Sequence, residues 1–149
     1  MHSITEIFSN RVLICALVSW FSAQLLKVPL YWLIEHKFDW RRVKESGGMP
    51  SSHSSFVVSL TLMVGFTQGF DTIAFAIAFT LAAIVMYDAA GVRRETGTQA
   101  VVLNTLIRDL LIDGKPISDD QLKELIGHTP FEVFAGALLG VFITILFII

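Results

Sequence analysis

The sequence predicts an all-α, polytopic membrane helical bundle with about four transmembrane helices and short amphipathic helices on its cytoplasmic face. Three observations carry this. Of 149 residues, 54% are hydrophobic and only 16% charged, with a mean hydropathy of +0.66, where a soluble domain has roughly 45–50% apolar and 25% charged residues. The apolar residues fall in four long runs. The cations gather in two of the segments between those runs, as the positive-inside rule expects of loops on one membrane face.

Taken in order, Val12 to Leu26 lies uncharged between Arg11 and Lys27 and, extended a turn at either end, matches a hydrocarbon layer of roughly 30 Å. Glu6 and the lack of a basic cluster before this run make it a poor secretory signal, so a retained span is expected. Val28 to Ile34 either continues the span past Pro29 or lies in the interface, where Tyr31 and Trp32 favour the headgroup level. The residues leave both readings open. Glu35 to Glu45, with Lys37, Arg41, Arg42 and Lys44, reads as a short helix or loop at the membrane surface.

Gly47-Gly48-Met49-Pro50-Ser51-Ser52-His53-Ser54 then opens the second span, residues 53–70. A proline near the first helical position beside capping hydroxyls is a helix start. Gln68 to Asp71 makes a tight turn, and the third span, 72–87, completes a hairpin that exits through Asp88, Gly91, Arg93 and Arg94. Residues 97–113 form an amphipathic pattern through Ala100, Leu103, Ile107 and Leu110, with Gln99 and Asn104 as polar interruptions suited to interhelical hydrogen bonds. Ser118 to Gln121 is a capping-box signature for a short helix. Thr129-Pro130 starts the last span, 131–149, whose Ala135, Gly136, Ala137 and Gly140 supply a small-residue packing surface. The whole chain, 1–149, is expected to be one integral-membrane domain.

Of the eleven cations, Lys27, Lys37, Arg41, Arg42 and Lys44 precede the second span, and Arg93, Arg94, Arg108, Lys115 and Lys123 precede the last. Both groups fall on one face, expected to be cytoplasmic, and Arg11 is left for the other. The net charge of −2, with no basic-aromatic face, argues against nucleic-acid binding. The single cysteine, Cys15, sits in an apolar run and reads as a buried spectator. Tyr31, Trp32, Trp40 and Tyr87 read as interface anchors.

Chemistry concentrates where that cationic face meets the helix ends. Two glycines let backbone approach a ligand, Ser51 and Ser52 offer donors, and helix-start amides carry partial positive charge, a combination suited to phosphate. His53, His128, Glu132 and Asp88 are credible metal ligands. No H-E-x-x-H or cysteine pair accompanies them, and Arg93 and Arg94 would repel a cation, so no metal or other cofactor is expected. Thr129-x-x-Glu132 is also a capping box, and Asp88 with Arg93 also reads as a structural ion pair.

Pro50-Ser51-Ser52-His53 resembles the P-S-G-H motif of the type 2 phosphatidic acid phosphatase and vanadium haloperoxidase superfamily, and His128-x-x-x-Glu132 resembles its later H-x-x-x-D. Gly47 to Ser54, Asp88 to Arg94 and Gly127 to Val133 look like the small divergent branch of that superfamily, found in bacteria and plants. The resemblance implies hydrolysis of a lipid phosphate or diphosphate through a phosphohistidine at a bacterial inner membrane. It makes His128 the nucleophile, Glu132 the carboxylate that orients it, and His53 the acid for the leaving oxygen. Gly48, Ser51 and Ser52 would hold the phosphate, with Asp88 in support. The superfamily's arginine six positions before the nucleophile is Leu122 here, and its first motif is absent as written. Lys27 would then supply the lysine, and Arg93 and Arg94 the guanidinium. The expected partners are the phosphorylated lipid and the surrounding membrane, and the Gly-Ala surfaces are compatible with a homodimer. A non-catalytic protein that keeps the pocket as a cradle for anionic lipid headgroups is the competing expectation.

Overall fold

The computed structural model describes residues 4–36, 38, 40, 47–91, 99, 103 and 129–149. Among these residues, a 3₁₀ turn over Ile4–Ser9 is followed by four long helices: α1 (Arg11–Glu35), α2 (Ser52–Gln68), α3 (Ile73–Ala90) and α4 (Pro130–Ile148). There is no strand among the described residues, whose fold is an all-α helical bundle. By length and composition Arg11–Leu33, Ile73–Ala90 and Pro130–Ile148 can each cross a membrane, with mean hydropathies of 1.6, 2.0 and 2.4. The helix at the expected second span is shorter, 17 residues or about 25 Å. It is also richer in hydroxyl side chains.

Local chemistry sets the helix boundaries. Asn10 Oδ1 accepts the Leu13 amide at 3.1 Å to start α1. Ser51 caps α2, accepting from Ser54 N–H at 3.4 Å. Thr72 caps α3 through the Phe75 amide at 3.2 Å. Thr129 and Glu132 form the complete reciprocal capping box at α4, with Pro130 in the first turn. The choice left open at Val28–Ile34 resolves to continuation, because α1 runs unbroken through Pro29 to Glu35. A proline removes only one helical donor, and in apolar surroundings the remaining backbone groups find partners only within the helix. The third helix likewise passes Tyr87 and carries Asp88 in its last turn.

Cross-helix bonds fix the registers. Ser19 and Ser55 exchange bonds between α1 and α2: their hydroxyls meet at 2.6 Å, and each donates to the other's carbonyl, at 3.0 and 3.2 Å. Thr61 Oγ1 donates to Ala78 O at 3.1 Å between α2 and α3. Arg11 Nη2 reaches Phe147 O at 3.2 Å, so the start of α1 meets the end of α4. Helices α1 and α3 therefore run antiparallel to α2, while α4 runs parallel to it. Helix α2 is the hub, in extensive contact with all three neighbours, whereas α3 and α4 touch only lightly.

The α2–α4 contact is the tightest. A Cβ at Gly136 would collide with the Ser51 carbonyl, and one at Gly140 would lie 2.7 Å from Ser55 O. Glycine at both positions lets the two backbones touch, the means by which membrane helices associate without a hydrophobic drive from water. Helix α3 shows the same logic in reverse: it buries Ala78, Ala82 and Ala89 and exposes Ile73, Ile77, Phe79 and Ile84. Cys15, Met63 and Ile143 form the apolar core, and Cys15 is fully buried, as expected of a spectator thiol. At the hairpin end Phe66, Phe70 and Phe75 stack edge-on, with centroids 5.2 and 5.1 Å apart.

The consequence for function is that the end of α1, the start of α2, the end of α3 and the start of α4 share one end of the bundle. Expected features at residues 41–46, 92–98 and 104–128 lie outside the described residues. These include the basic positions Arg41, Arg42, Lys44, Arg93 and Arg94, the capping signature at Ser118, and His128.

Candidate functional site

At that shared end lies a cavity of about 170 Å³ lined by Lys27, Leu30, Tyr31 and Glu35 of α1, Gly47, Gly48 and Met49 ahead of α2, and Glu132 of α4. Lys27, Tyr31 and Glu35 recur every four residues and so share one helix face. They reach the cavity together only because α1 continues past Pro29. Lys27 is 3% exposed, deep for an ammonium group. Burying a lysine is costly unless opposite charge or hydrogen bonds accompany it, so the position is a specific one. Gly48 has φ +87°, a conformation that side chains disfavour, with open space where a Cβ would be. Glycine is needed there for the turn that brings backbone to the cavity.

The wall opposite Lys27 is made by two adjacent helix starts. Ser51 N–H donates to the Glu132 carbonyl at 3.0 Å, tying the first turns of α2 and α4 together. The positive ends of both helix dipoles therefore lie at the same end of the bundle as the ammonium group. Glu132 serves two purposes: its Oε2 accepts the Thr129 amide at 3.2 Å, and the residue lines the cavity. The capping reading of Thr129-x-x-Glu132 is thus realised in the fold.

Of the residues expected at the site, the structure brings Lys27, Gly48 and Glu132 to one cavity. Ser51 and Ser52 are buried beside it. Ser51 is engaged in capping, and Ser54 Oγ also donates to its hydroxyl at 3.1 Å. Asp88 is half-buried in the last turn of α3, at the same end. His53 is half-buried and opens onto a second cavity, formed with α1 and α3. His128, Arg93 and Arg94 lie outside the described residues. His128 directly precedes Thr129 in the chain.

Comparison with known proteins gives the chain a family. The family model described as "Divergent PAP2 family" matches residues 8–143, which takes in α1, α2 and α3 whole and α4 as far as Ile143. The chain belongs to the Divergent PAP2 family. Among its relatives is an uncharacterized membrane protein, YuiD, of Bacillus subtilis (strain 168), 39% identical over 150 residues, an alignment covering 94% of this chain and 95% of the relative. No solved structure matches the chain. As a Divergent PAP2 protein with three helices able to cross a bilayer, it is an integral membrane protein related to phosphatases.

Two residues of the cavity were not expected there. Tyr31 had the composition of an interface anchor and Glu35 that of a surface loop. Their spacing from Lys27 was the available signal, and it became usable once the helix was known to pass Pro29. Outside the cavity lining, Gln24, one turn before Lys27, has its Oε1 buried with no hydrogen-bond partner among the described residues.

Proposed function

We propose that this Divergent PAP2 protein is a phosphatase for a lipid phosphate or diphosphate, working at the cytoplasmic face of a bacterial inner membrane. The observation that carries the reading is the buried Lys27 facing a glycine turn and two joined helix starts. That is a place for a tetrahedral anion at the depth of a lipid headgroup.

In this reading His128, neutral, attacks phosphorus through one ring nitrogen. The bond from phosphorus to the lipid oxygen breaks, and His53 gives that oxygen its proton. Water then attacks the phosphohistidine and passes a proton back to His53, which frees inorganic phosphate and restores both imidazoles. A carboxylate at Glu132 favours the imidazolium-like charge that forms on attack. Lys27 and the helix-start amides stabilise charge on the equatorial oxygens, the main source of catalysis in phosphoryl transfer.

One observation favours a second reading, a non-catalytic cradle for anionic headgroups: Glu132 already serves as a capping acceptor. Phosphate release from polyprenyl and glycerol lipid phosphates by purified protein tests the choice. Catalysis requires turnover that falls in both His128→Ala and His53→Ala, and a labelled phosphoryl group recoverable on His128 after acid-free quenching. Lipid binding without release or label supports the cradle.

A further inference from the structure

The second cavity differs from the first in every respect that matters to a ligand. It holds about 470 Å³ and is lined by Leu17 and Trp20 of α1, His53, Phe56 and Val57 of α2, and Leu81 and Val85 of α3. Six of the seven residues are apolar, and the seventh is a titratable base. The registers set by Ser19–Ser55 and Thr61–Ala78 orient it. His53 lies level with Trp20 and Val85, at the end nearer the Lys27 cavity. Val57 lies level with Leu17 and Leu81, about one turn deeper into the bundle.

The helices that flank this groove, α1 and α3, both have the length and composition of spans, so the medium bordering it is hydrocarbon rather than water. Its walls argue against a helix of a second copy, since close helix packing in membranes uses small residues. Here Trp20, Phe56 and Leu81 are bulky. The same stripe of α1 that lines the groove runs on through Leu17, Trp20, Gln24, Lys27 and Tyr31 at spacings of three and four. Trp20 and Lys27 are seven residues, about 10 Å, apart along the axis. An amphiphile with an uncharged shaft and an anionic end matches both the apolar lining and the base at its head.

We infer that this groove seats the hydrocarbon chain of a lipid phosphate, between α1 and α3, with its head end passing His53 toward the Lys27 cavity. The inference rests on the lipid-phosphate reading above and adds where the chain lies. A Trp32→Phe/Trp40→Phe variant leaves Trp20 as the sole tryptophan. In phosphatidylcholine nanodiscs, a small fraction of chain-brominated phosphatidate quenches this Trp20 saturably and more than the same fraction of equally brominated phosphatidylcholine. Unbrominated phosphatidate competes the effect away. Leu81→Phe and Val85→Phe, made on this background, fill the groove and raise the half-saturating fraction by about tenfold, the loss of roughly two methylenes' worth of burial. Equal quenching by the two brominated lipids overturns the proposal, as does a Leu81→Cys variant that cross-links two copies through the groove. Selective quenching without phosphate release from any lipid keeps the groove and removes the enzyme. Release with unselective quenching does the reverse.

Discussion

On the side of α2 that meets α4, Ser51, Ser55 and Ser59 lie fully buried against Gly136 and Gly140, and no space remains for one added methyl group. On the side between α1 and α3, the same helix presents His53, Phe56 and Val57 to a groove of about 470 Å³. In water both sides of a core helix would be filled, because an apolar groove is costly to wet. In a bilayer a groove is filled by lipid, so only the contact that holds the functional end in shape has to be tight. The comparison teaches that close packing here positions the helix starts, and looseness is confined to where a chain of the solvent itself can enter.

Several substitutions break or sharpen that contrast. The largest effect belongs to Gly136, where even alanine forces apart the α2 and α4 backbones. Gly136→Leu is expected to prevent assembly of the bundle, and Gly136→Ala to cost about 3 kcal/mol in detergent-solubilised thermal unfolding. A Gly136→Ala protein as stable as the parent would mean the tight side is not tight. Lys27→Met comes next: it keeps the stem's packing, removes the buried charge, and is expected to lower phosphate release by about a hundredfold. A drop in stability with unaltered turnover would reassign Lys27 to structure.

Smaller effects follow from single bonds. Thr129→Ala removes the cap of α4 and is expected to cost about 1 kcal/mol. Ser55→Ala breaks the exchange with Ser19 and is expected to cost about 0.6 kcal/mol, the usual worth of an interhelical hydrogen bond in a membrane. On the open side, Leu81→Ala is expected to change stability by no more than about 0.5 kcal/mol, because its side chain is already half outside the protein contacts. A loss there as large as at Gly136 would erase the difference between the two faces.

Much of the fold was legible because its signals are local. Thr129-Pro130 with Glu132, Ser51 ahead of Ser54, and Thr72 after the Gly69 turn are all caps, and each starts a helix as written. The positions of Gly136 and Gly140 announced a close contact but not its partner, since a small-residue stripe states how near another backbone can come and not which one. The octapeptide Gly47 to Ser54 was read as one unit. Once Ser51 caps the helix, however, each residue turns about 100°, so Ser51 and His53 point about 200° apart: Ser51 packs against the start of α4, and His53 opens onto the groove between α1 and α3. Pro29 hid Tyr31 and Glu35 in the same way, because a proline in water usually marks an end, whereas in hydrocarbon the helix has nowhere else to place its amides.

The contact at Gly136 also gives a criterion for tracing descent. Motifs that carry chemistry can drift once an activity changes, but a backbone-to-backbone touch admits a single residue type whatever the protein does. A distant chain with glycines four apart, set about two turns inside a Thr-Pro helix start and matched to a serine-capped helix upstream, can be assigned this architecture even where its histidines are gone.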